Sequence, residues 1–323
     1  MRSFDLTRSS GRTQTAWMSK ARSTSVSLAL VCVLAGLASS PEPVRAAPAA
    51  TPFLNLPPRP ADAIGGAEFI RRTSGMSIVE RDNAVVAEIE KGNIPSFLNR
   101  LTPVTVASRS TDGKDVSATV WVTPDYLAIG SDDDFFYVPL NYYSATLIAA
   151  RLGCVLPTPR IVDAIYEQSV HRLKPAPLPA SPLMGTNLYM AEHKDRVDAQ
   201  RRGFPLGDLI SGHKKDLVLT NRLAQIPGRV AIYGWHLAAG RPIQPLSLVH
   251  GARYVDYSHG VRLVASVVDI GGAARSIYDA LQDSRLASAL SREGVTRDAW
   301  ALMHPKATAG TLALAGTLKL AGR

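Results

Sequence analysis

The sequence predicts an α+β fold: an N-terminal helix/strand/helix region followed by a β-rich C-terminal half with flanking helices. Three observations carry this expectation. An apolar rhythm of helical period over Ile78 to Lys91 gives way to strand-like runs between Pro103 and Val138. Helical segments with start and stop residues follow between Tyr143 and His171. From Asp216 to Val268, short β-branched and aromatic runs recur between turn residues.

The chain opens on an expected export signal. Ser27 to Ala38 is a nearly pure apolar run. It has the length of a signal core and falls short of the roughly 20 residues that span a bilayer. Lys20 and Arg22 precede it, and Val44-Arg45-Ala46 fits a cleavage site after Ala46 or Ala47. Residues 1–46 therefore read as a cleavable secretory signal, with Met18 as an alternative start. The mature protein is expected to be secreted or periplasmic. Residues 47–63, with Pro48, Pro52, Pro57, Pro58 and Pro60, predict an extended tether.

Residues 64–173 form the expected N-terminal region. Ile78, Val85, Val86 and Ile89 share one helical face, and Gly92 supplies the stop. Strands are expected at Pro103–Ala107, Val116–Val122, Tyr126–Ile129 and Phe135–Val138, with turns at Thr111-Asp112-Gly113 and Ser131-Asp132-Asp133-Asp134. A helix over Tyr143–Leu152 ends at Gly153, and a second runs from Pro159 to His171 behind a Thr158 cap. Pro175, Pro177, Pro179 and Pro182 make residues 174–183 the expected boundary, a stiff spacer. Residues 184–303 hold a helix over Leu188–Arg202 and strands at Leu217–Leu219, Arg229–Trp235, Ile243–Leu248, Tyr254–Tyr257 and Val261–Val267. Helical patterns return at Ile277–Leu281 and Leu286–Leu290, and residues 304–323 are expected to be a mobile tail.

Composition narrows the partners. The chain carries 36 Lys+Arg and 27 Asp+Glu. Cleavage would remove Arg2, Arg8, Arg12, Lys20, Arg22, Arg45, Asp5 and Glu42, leaving 30 basic residues against 25 acidic ones, a net charge of about +5. The basic doublets Arg71-Arg72, Arg201-Arg202 and Lys214-Lys215 are scattered, unlike the dense stripe of a nucleic-acid binder. Cleavage also removes Cys32 and leaves Cys154, so no intramolecular disulfide is expected and the core must supply stability.

Candidate chemistry concentrates in one stretch. Of seven histidines, His213, His236, His250 and His259 fall close together. Asp216, Asp256, Ser258, Lys214, Lys215, Tyr233, Tyr254 and Tyr257 share the stretch, with Ser211 just before it. Each histidine stands at a strand end or beside a glycine, where β scaffolds present functional groups. Strand alternation puts Asp256 and Ser258 on the side opposite His259, and His236 opposite Tyr233 and Trp235.

Three chemistries fit these residues. A hydrolytic metal site would use His213, Asp216 and His250 to hold zinc and leave one position for water. A Ser/His/Asp arrangement would use Ser258 or Ser211 as nucleophile, although neither lies in a Gly-x-Ser-x-Gly elbow. Acid–base catalysis without metal would rest on His250, Asp256 and His259. The bland alternative is that these are hydrogen-bonded turn and core histidines.

Ser258-His259-Gly260-Val261-Arg262-Leu263 resembles the Ser-His-Gly-Cys-x-Arg core of L,D-transpeptidases, with His250-Gly251 similar to their upstream His-Gly. The resemblance implies an exported, β-rich enzyme acting on peptidoglycan, with His250 and His259 as inherited positions. Val261 stands where that pattern has its cysteine, and Arg262 falls one position early, so the transpeptidase nucleophile is lost. The His/Asp cluster is also similar in residue type to zinc-dependent peptidases of the cell wall.

Cys154, after the Gly153 stop, reads as a buried small residue, and Asp132-Asp133-Asp134 as a solvated turn. The leading expectation is an exported hydrolase acting on an extracytoplasmic substrate, with peptidoglycan or another envelope polymer as partner and zinc as the candidate cofactor. The competing expectations are a non-catalytic envelope-binding or structural protein, and an L,D-transpeptidase-like protein without the cysteine.

Overall fold

A computed structural model describes residues 52–306. The expected signal, the first residues of the expected tether and the tail beyond 306 lie outside the described residues. The fold is α+β with a β-rich C-terminal half.

Helix α1 (Gly66–Arg72) begins where the Asp134 carboxylate accepts from the Ala67 N–H at 3.0 Å. Helix α2 (Ile78–Glu90) starts at a reciprocal cap: Ser77 accepts from the Glu80 N–H, and Glu80 accepts from the Ser77 N–H. Its buried face carries Val85, Val86 and Ile89, as the spacing predicts. A 3-10 turn at Ser96–Leu98 is held by the Asp132 carboxylate, which accepts from the Ser96 N–H at 2.6 Å. The acidic turn thus caps two neighbouring segments.

Strands β1 (Thr102–Arg109) and β2 (Asp115–Val122) pair along their whole length around the predicted Asp112-Gly113 turn. Strands β3 (Ala128–Gly130) and β4 (Phe135–Tyr137) form a second hairpin. Helix α3 (Tyr142–Arg151), strand β5 (Cys154–Val155), helix α4 (Pro159–Gln168) and strand β6 (His171–Arg172) follow. Helix α5 (Asn187–Arg201) leads to β7 (Ile210–Ser211), β8 (Lys215–Leu217), the single turn α6 (Arg222–Gln225), β9 (Ile232–His236), β10 (Pro242–Ser247) and β11 (His259–Gly260). The chain closes with β12 (Val264–Ala265), β13 (Val267–Ile270), β14 (Ala273–Ser276) and helices α7 (Ile277–Gln282), α8 (Ala287–Leu290) and α9 (Ala299–Met303).

One sheet runs β14-β13-β2-β12-β5, with β1 also on β2. Strands from the two ends of the sequence therefore alternate in it: Val264 of β12 pairs with both Val122 and Val155. The second sheet runs β10-β9-β8-β11 and is mixed, with β8 and β11 parallel. Short pairs β3-β4 and β6-β7 complete the strands.

This interleaving corrects the expected division at residues 174–183. Residues 52–306 belong to one compact unit. The proline-rich stretch runs against its core: Leu178 is buried, and its N–H donates to the Tyr257 hydroxyl at 2.7 Å. The expected tether is also corrected for residues 52–63. Leu54 is buried, Phe53 bridges to Arg100, and the Arg59 guanidinium donates to Asn93, Gly130, Ala63 and Ile64. Prolines make this segment extended, but its apolar and guanidinium side chains tie it down. The expected strand Tyr254–Tyr257 is irregular and runs into a turn at Tyr257-Ser258, and Val261–Val267 is divided between an irregular stretch, β12 and the start of β13. No helix of the described residues is long and apolar enough to cross a membrane.

Candidate active site between α4 and β9

Helix α4 starts at Pro159 behind Thr158, whose Oγ1 accepts from the Ile161 N–H at 3.3 Å. This start places Asp163 in the second turn, inside the buried run Ile161 to Tyr166. On the facing strand, alternation predicts that Tyr233 and His236 point apart. The backbone breaks that alternation: Gly234 has φ 109° and Trp235 has φ 57°. A left-handed tryptophan is a strained conformation, held by the surrounding structure. As a result the Tyr233 hydroxyl donates to Asp163 Oδ1 at 2.9 Å, and His236 Nε2 lies 2.9 Å from the same oxygen. Glycine at 234 permits the approach. A Cβ there would stand 3.3 Å from Asp216 Oδ2 and 3.4 Å from Val162 Cγ1.

Arg292 completes the constellation, with Nη2 2.7 Å from Asp163 Oδ2. Tyr166 stacks on His236 with ring centroids 4.5 Å apart. Around these groups lies a surface cavity of about 100 Å³, lined by Asp163, Tyr166, Glu167, Tyr233, His236 and Arg292 along with Gly240 and Pro242 at the start of β10. Burial and the neighbouring Asp163 push the Tyr233 phenol up, so it stays protonated and donates. An imidazole oriented by a carboxylate at the edge of a cavity is the arrangement that general acid–base catalysis requires.

Asp216 stands behind this cleft. It is fully buried and accepts from the Tyr126 hydroxyl at 2.8 Å. Burial raises its carboxyl to about 6 against the opposing pull of Arg262, Tyr126 and His236. Gly260, opposite Asp216 in the parallel pair, makes room for Tyr126: a Cβ there would meet Tyr126 Cδ1 at 2.6 Å.

The residues expected to be catalytic, His250, Asp256 and His259, come together only in part. The turn closed by His259 N–H donating to Asp256 O at 3.1 Å folds the Asp256 carboxylate back. His259 Nε2 then lies 3.7 Å from Asp256 Oδ2, so alternation does not separate them. Asp256 accepts from the Ser258 N–H at 2.7 Å, the Ser258 hydroxyl at 2.5 Å and the Tyr254 hydroxyl at 3.2 Å. His250 stacks on Tyr254 at 3.9 Å. Asp256 and His259 are each 1% exposed and packed beside Tyr254, whereas His250 is half-buried. Burial pushes His259 down to about 4, with Asp256 opposing, so the imidazole is neutral at ordinary pH.

The expected metal ligands His213, Asp216 and His250 take separate partners. His213 Nε2 lies 3.3 Å from Asp125 Oδ1, Asp216 is held by Tyr126, and His250 by Tyr254. Among the described residues no three His, Cys, Asp or Glu side chains group closely enough to hold a metal ion. Asp125 instead anchors a buried network. It pairs with Arg201, and the Tyr137 hydroxyl donates to it at 2.8 Å. Burial opposes its ionisation, but His213, Arg201 and Arg262 outweigh that and hold its carboxyl well below the usual range. Beside it, Lys214 Nζ donates to Tyr257 O at 2.7 Å and lies 3.3 Å from His193 Nδ1, and burial pushes the ammonium down to about 7.

The remaining candidates are structural. Ser211 bonds Ser169 through their hydroxyls at 2.7 Å. Val261, at the cysteine position of the transpeptidase pattern, is fully buried. Arg262 donates to Thr123 O at 2.8 Å and Ile210 O at 2.7 Å, and lies 4.2 Å over the Tyr126 ring. Cys154 is buried in β5, and desolvation raises its thiol to about 12.

Sequence reasoning missed Asp163, Arg292, Asp125 and Arg201. Asp163 left one signal: an acid between Val162 and Ala164 within an otherwise apolar helical run that includes Ile161 and Ile165. An acid on a buried helix face needs a partner. No protein-family model, no curated protein and no solved structure matches the chain.

Proposed function

We propose that the chain is an exported hydrolase whose acid–base group is His236, oriented by Asp163, acting on a substrate outside the cytoplasm. The observation that carries this reading is the 2.9 Å contact between His236 Nε2 and Asp163 Oδ1 at the wall of a surface cavity. His236 accepts a proton from water as the water attacks the carbonyl of an amide or ester, and returns it to the leaving nitrogen or oxygen. Asp163 fixes the ring and stabilises the imidazolium that forms, and Tyr233 and Arg292 hold Asp163 in turn. The apolar run Ser27 to Ala38 supports export, and export supports an envelope polymer such as peptidoglycan as the substrate source.

The competing reading is a non-catalytic envelope-binding protein. The burial of His213, Asp216, Asp256 and His259 supports it, because these members of the cluster serve the core. A screen of peptidoglycan and p-nitrophenyl esters with the parent protein and His236→Gln separates the two. The hydrolase reading expects turnover in the parent and a loss of about a hundredfold or more in the variant, with the fold retained. Absence of turnover in the parent, or equal rates in both, favours the binding protein.

A further inference from the structure

We infer that the tip formed by residues 226–229 and 249–251 docks on an anionic lipid surface. Ile226 and Val249 enter the apolar boundary, and Arg229 meets the headgroup phosphates. The inference is independent of the hydrolase reading.

The two loops of the tip are fastened side by side. The Ala252 N–H donates to Gly228 O at 2.8 Å, the Val230 N–H to His250 O at 3.2 Å and Arg229 Nη1 to Val249 O at 2.6 Å. Arg229 and Gly251 also form an isolated bridge. The Ile226 N–H donates to Arg222 O at 3.1 Å, and Pro227 stiffens the backbone that follows. Val249 is 73% exposed, the most exposed large apolar side chain among the described residues, and Ile226 is 48% exposed. One exposed aliphatic side chain needs no explanation. Two on adjoining, fastened loops beside a guanidinium are a different case, because little backbone freedom is lost when they dock.

The charge around the tip has one sign. Residues 217–255 include Arg222, Arg229, Arg241 and Arg253 and no aspartate or glutamate. Asp216 and Asp256, which bracket this stretch, are buried. Arg222 lies 3.6 Å from Glu293, but Arg229 pairs with no carboxylate among the described residues. The positive field reaches His250: burial lowers its imidazole, Asp256 opposes, and Lys215 and Arg229 lower it further. Cations alone fit any polyanion. The two aliphatic side chains favour lipid, since a soluble polyanion offers them no apolar layer to enter. The cleft wall at Pro242 is at the other end of β10, so docking by the tip does not require covering the cleft.

Cosedimentation with vesicles tests this, using protein that begins at Ala47 and so lacks the apolar run Ser27 to Ala38, which would enter lipid by itself. Vesicles of mixed phosphatidylglycerol and phosphatidylcholine are expected to bind it at least about tenfold more tightly than phosphatidylcholine alone, with the difference shrinking in high salt. Arg229→Gln is expected to weaken binding about fivefold, and Ile226→Ser combined with Val249→Ser about tenfold or more. Leu188→Ser, at a side chain 65% exposed on α5, is the control expected to leave binding unchanged. Thermal unfolding checks the fold of each variant. Should the paired variant unfold, Val249→Ser alone is read instead, with an expected loss of about fourfold. Equal binding to both kinds of vesicle overturns the inference, as does binding untouched by loss of the aliphatic side chains, or an equal loss in Leu188→Ser. Dextran sulfate bound as tightly as the anionic vesicles, with or without the two aliphatic side chains, also overturns it and makes the tip a polyanion site.

Discussion

His236 Nε2 and Asp163 Oδ1 lie 2.9 Å apart, although 73 residues separate them in the chain. The contact depends on two features far from each other in sequence. The Thr158 cap and Pro159 set where α4 starts, and the left-handed pair Gly234 and Trp235 turns His236 to the side that Tyr233 already faces. Neither residue is reached by solvent on more than a small part of its surface, yet both line an open cavity. That combination distinguishes this pair from His259 and Asp256, which are buried in contact with Tyr254.

Asp163→Ala should destabilise the protein as well as stop turnover. It removes the acceptor shared by Tyr233, His236 and Arg292, leaving two buried donors without a partner. Stability in urea is expected to fall by about 1–3 kcal/mol. An unchanged urea midpoint would mean that the carboxylate does not hold these groups.

Gly260→Ala should be costly for a different reason. The new methyl would stand 2.6 Å from Tyr126 Cδ1 and 2.8 Å from Lys214 Cβ, forcing Tyr126 off Asp216. The expected loss is about 1–3 kcal/mol by chemical denaturation. Gly251→Ala is the control. Its nearest neighbour would be Gly228 O at 3.9 Å, and its effect is expected to stay within about 0.5 kcal/mol.

Asp216 and His259 should bend the pH dependence of stability in opposite directions. Burial raises Asp216 to about 6, against about 3.9 in an unfolded chain. Its contribution is therefore present below about pH 4 and lost as the pH rises through about 6. Burial lowers His259 to about 4, against about 6.5 unfolded. Its contribution is present above about pH 6.5 and lost as the pH falls through about 4. Urea titrations from pH 4 to 7 should find Asp216→Asn most damaging at the acid end and His259→Gln most damaging at the neutral end. Slopes of the same sign for the two variants would contradict these assignments.

Cys154 should be inert in the folded protein. A thiol raised to about 12 holds almost no thiolate at neutral pH, and the side chain is 2% exposed. Peptide mapping after iodoacetamide treatment is expected to find the Cys154 peptide unmodified in native protein and fully modified in denaturant. Rapid labelling of native protein would show that β5 opens.

Much of the fold was legible because its signals are local. The spacing of Val85, Val86 and Ile89 marks α2, the Asp112-Gly113 turn marks the β1–β2 hairpin, and Thr158-Pro159 marks the start of α4. What depends on distant partners was not legible. No local period shows that β12 will lie between β2 and β5, so prolines 175–182 looked like a boundary. Clustering of histidines in sequence suggested one site, but each of four takes its own partner: Asp125 for His213, Asp163 for His236, Tyr254 for His250 and Asp256 for His259. Two of those partners, Asp125 and Asp163, come from the N-terminal half. The positive φ of Trp235 left no mark in the sequence either, because it is imposed by the packing of β9 between β8, β10 and α4.

The central claim is that His236 and Asp163 work as one catalytic unit, and a double-mutant cycle on turnover tests it most directly. The measurement is kcat/KM on acetyl-Ala-Ala and p-nitrophenyl acetate for the parent, His236→Gln, Asp163→Asn and the double variant, with folding checked by thermal unfolding. Each single variant is expected to lose about a hundredfold or more, and the double variant to be no slower than the worse single one. Losses that multiply would contradict a shared role, and a parent rate no higher than the uncatalysed blank would contradict catalysis at this site.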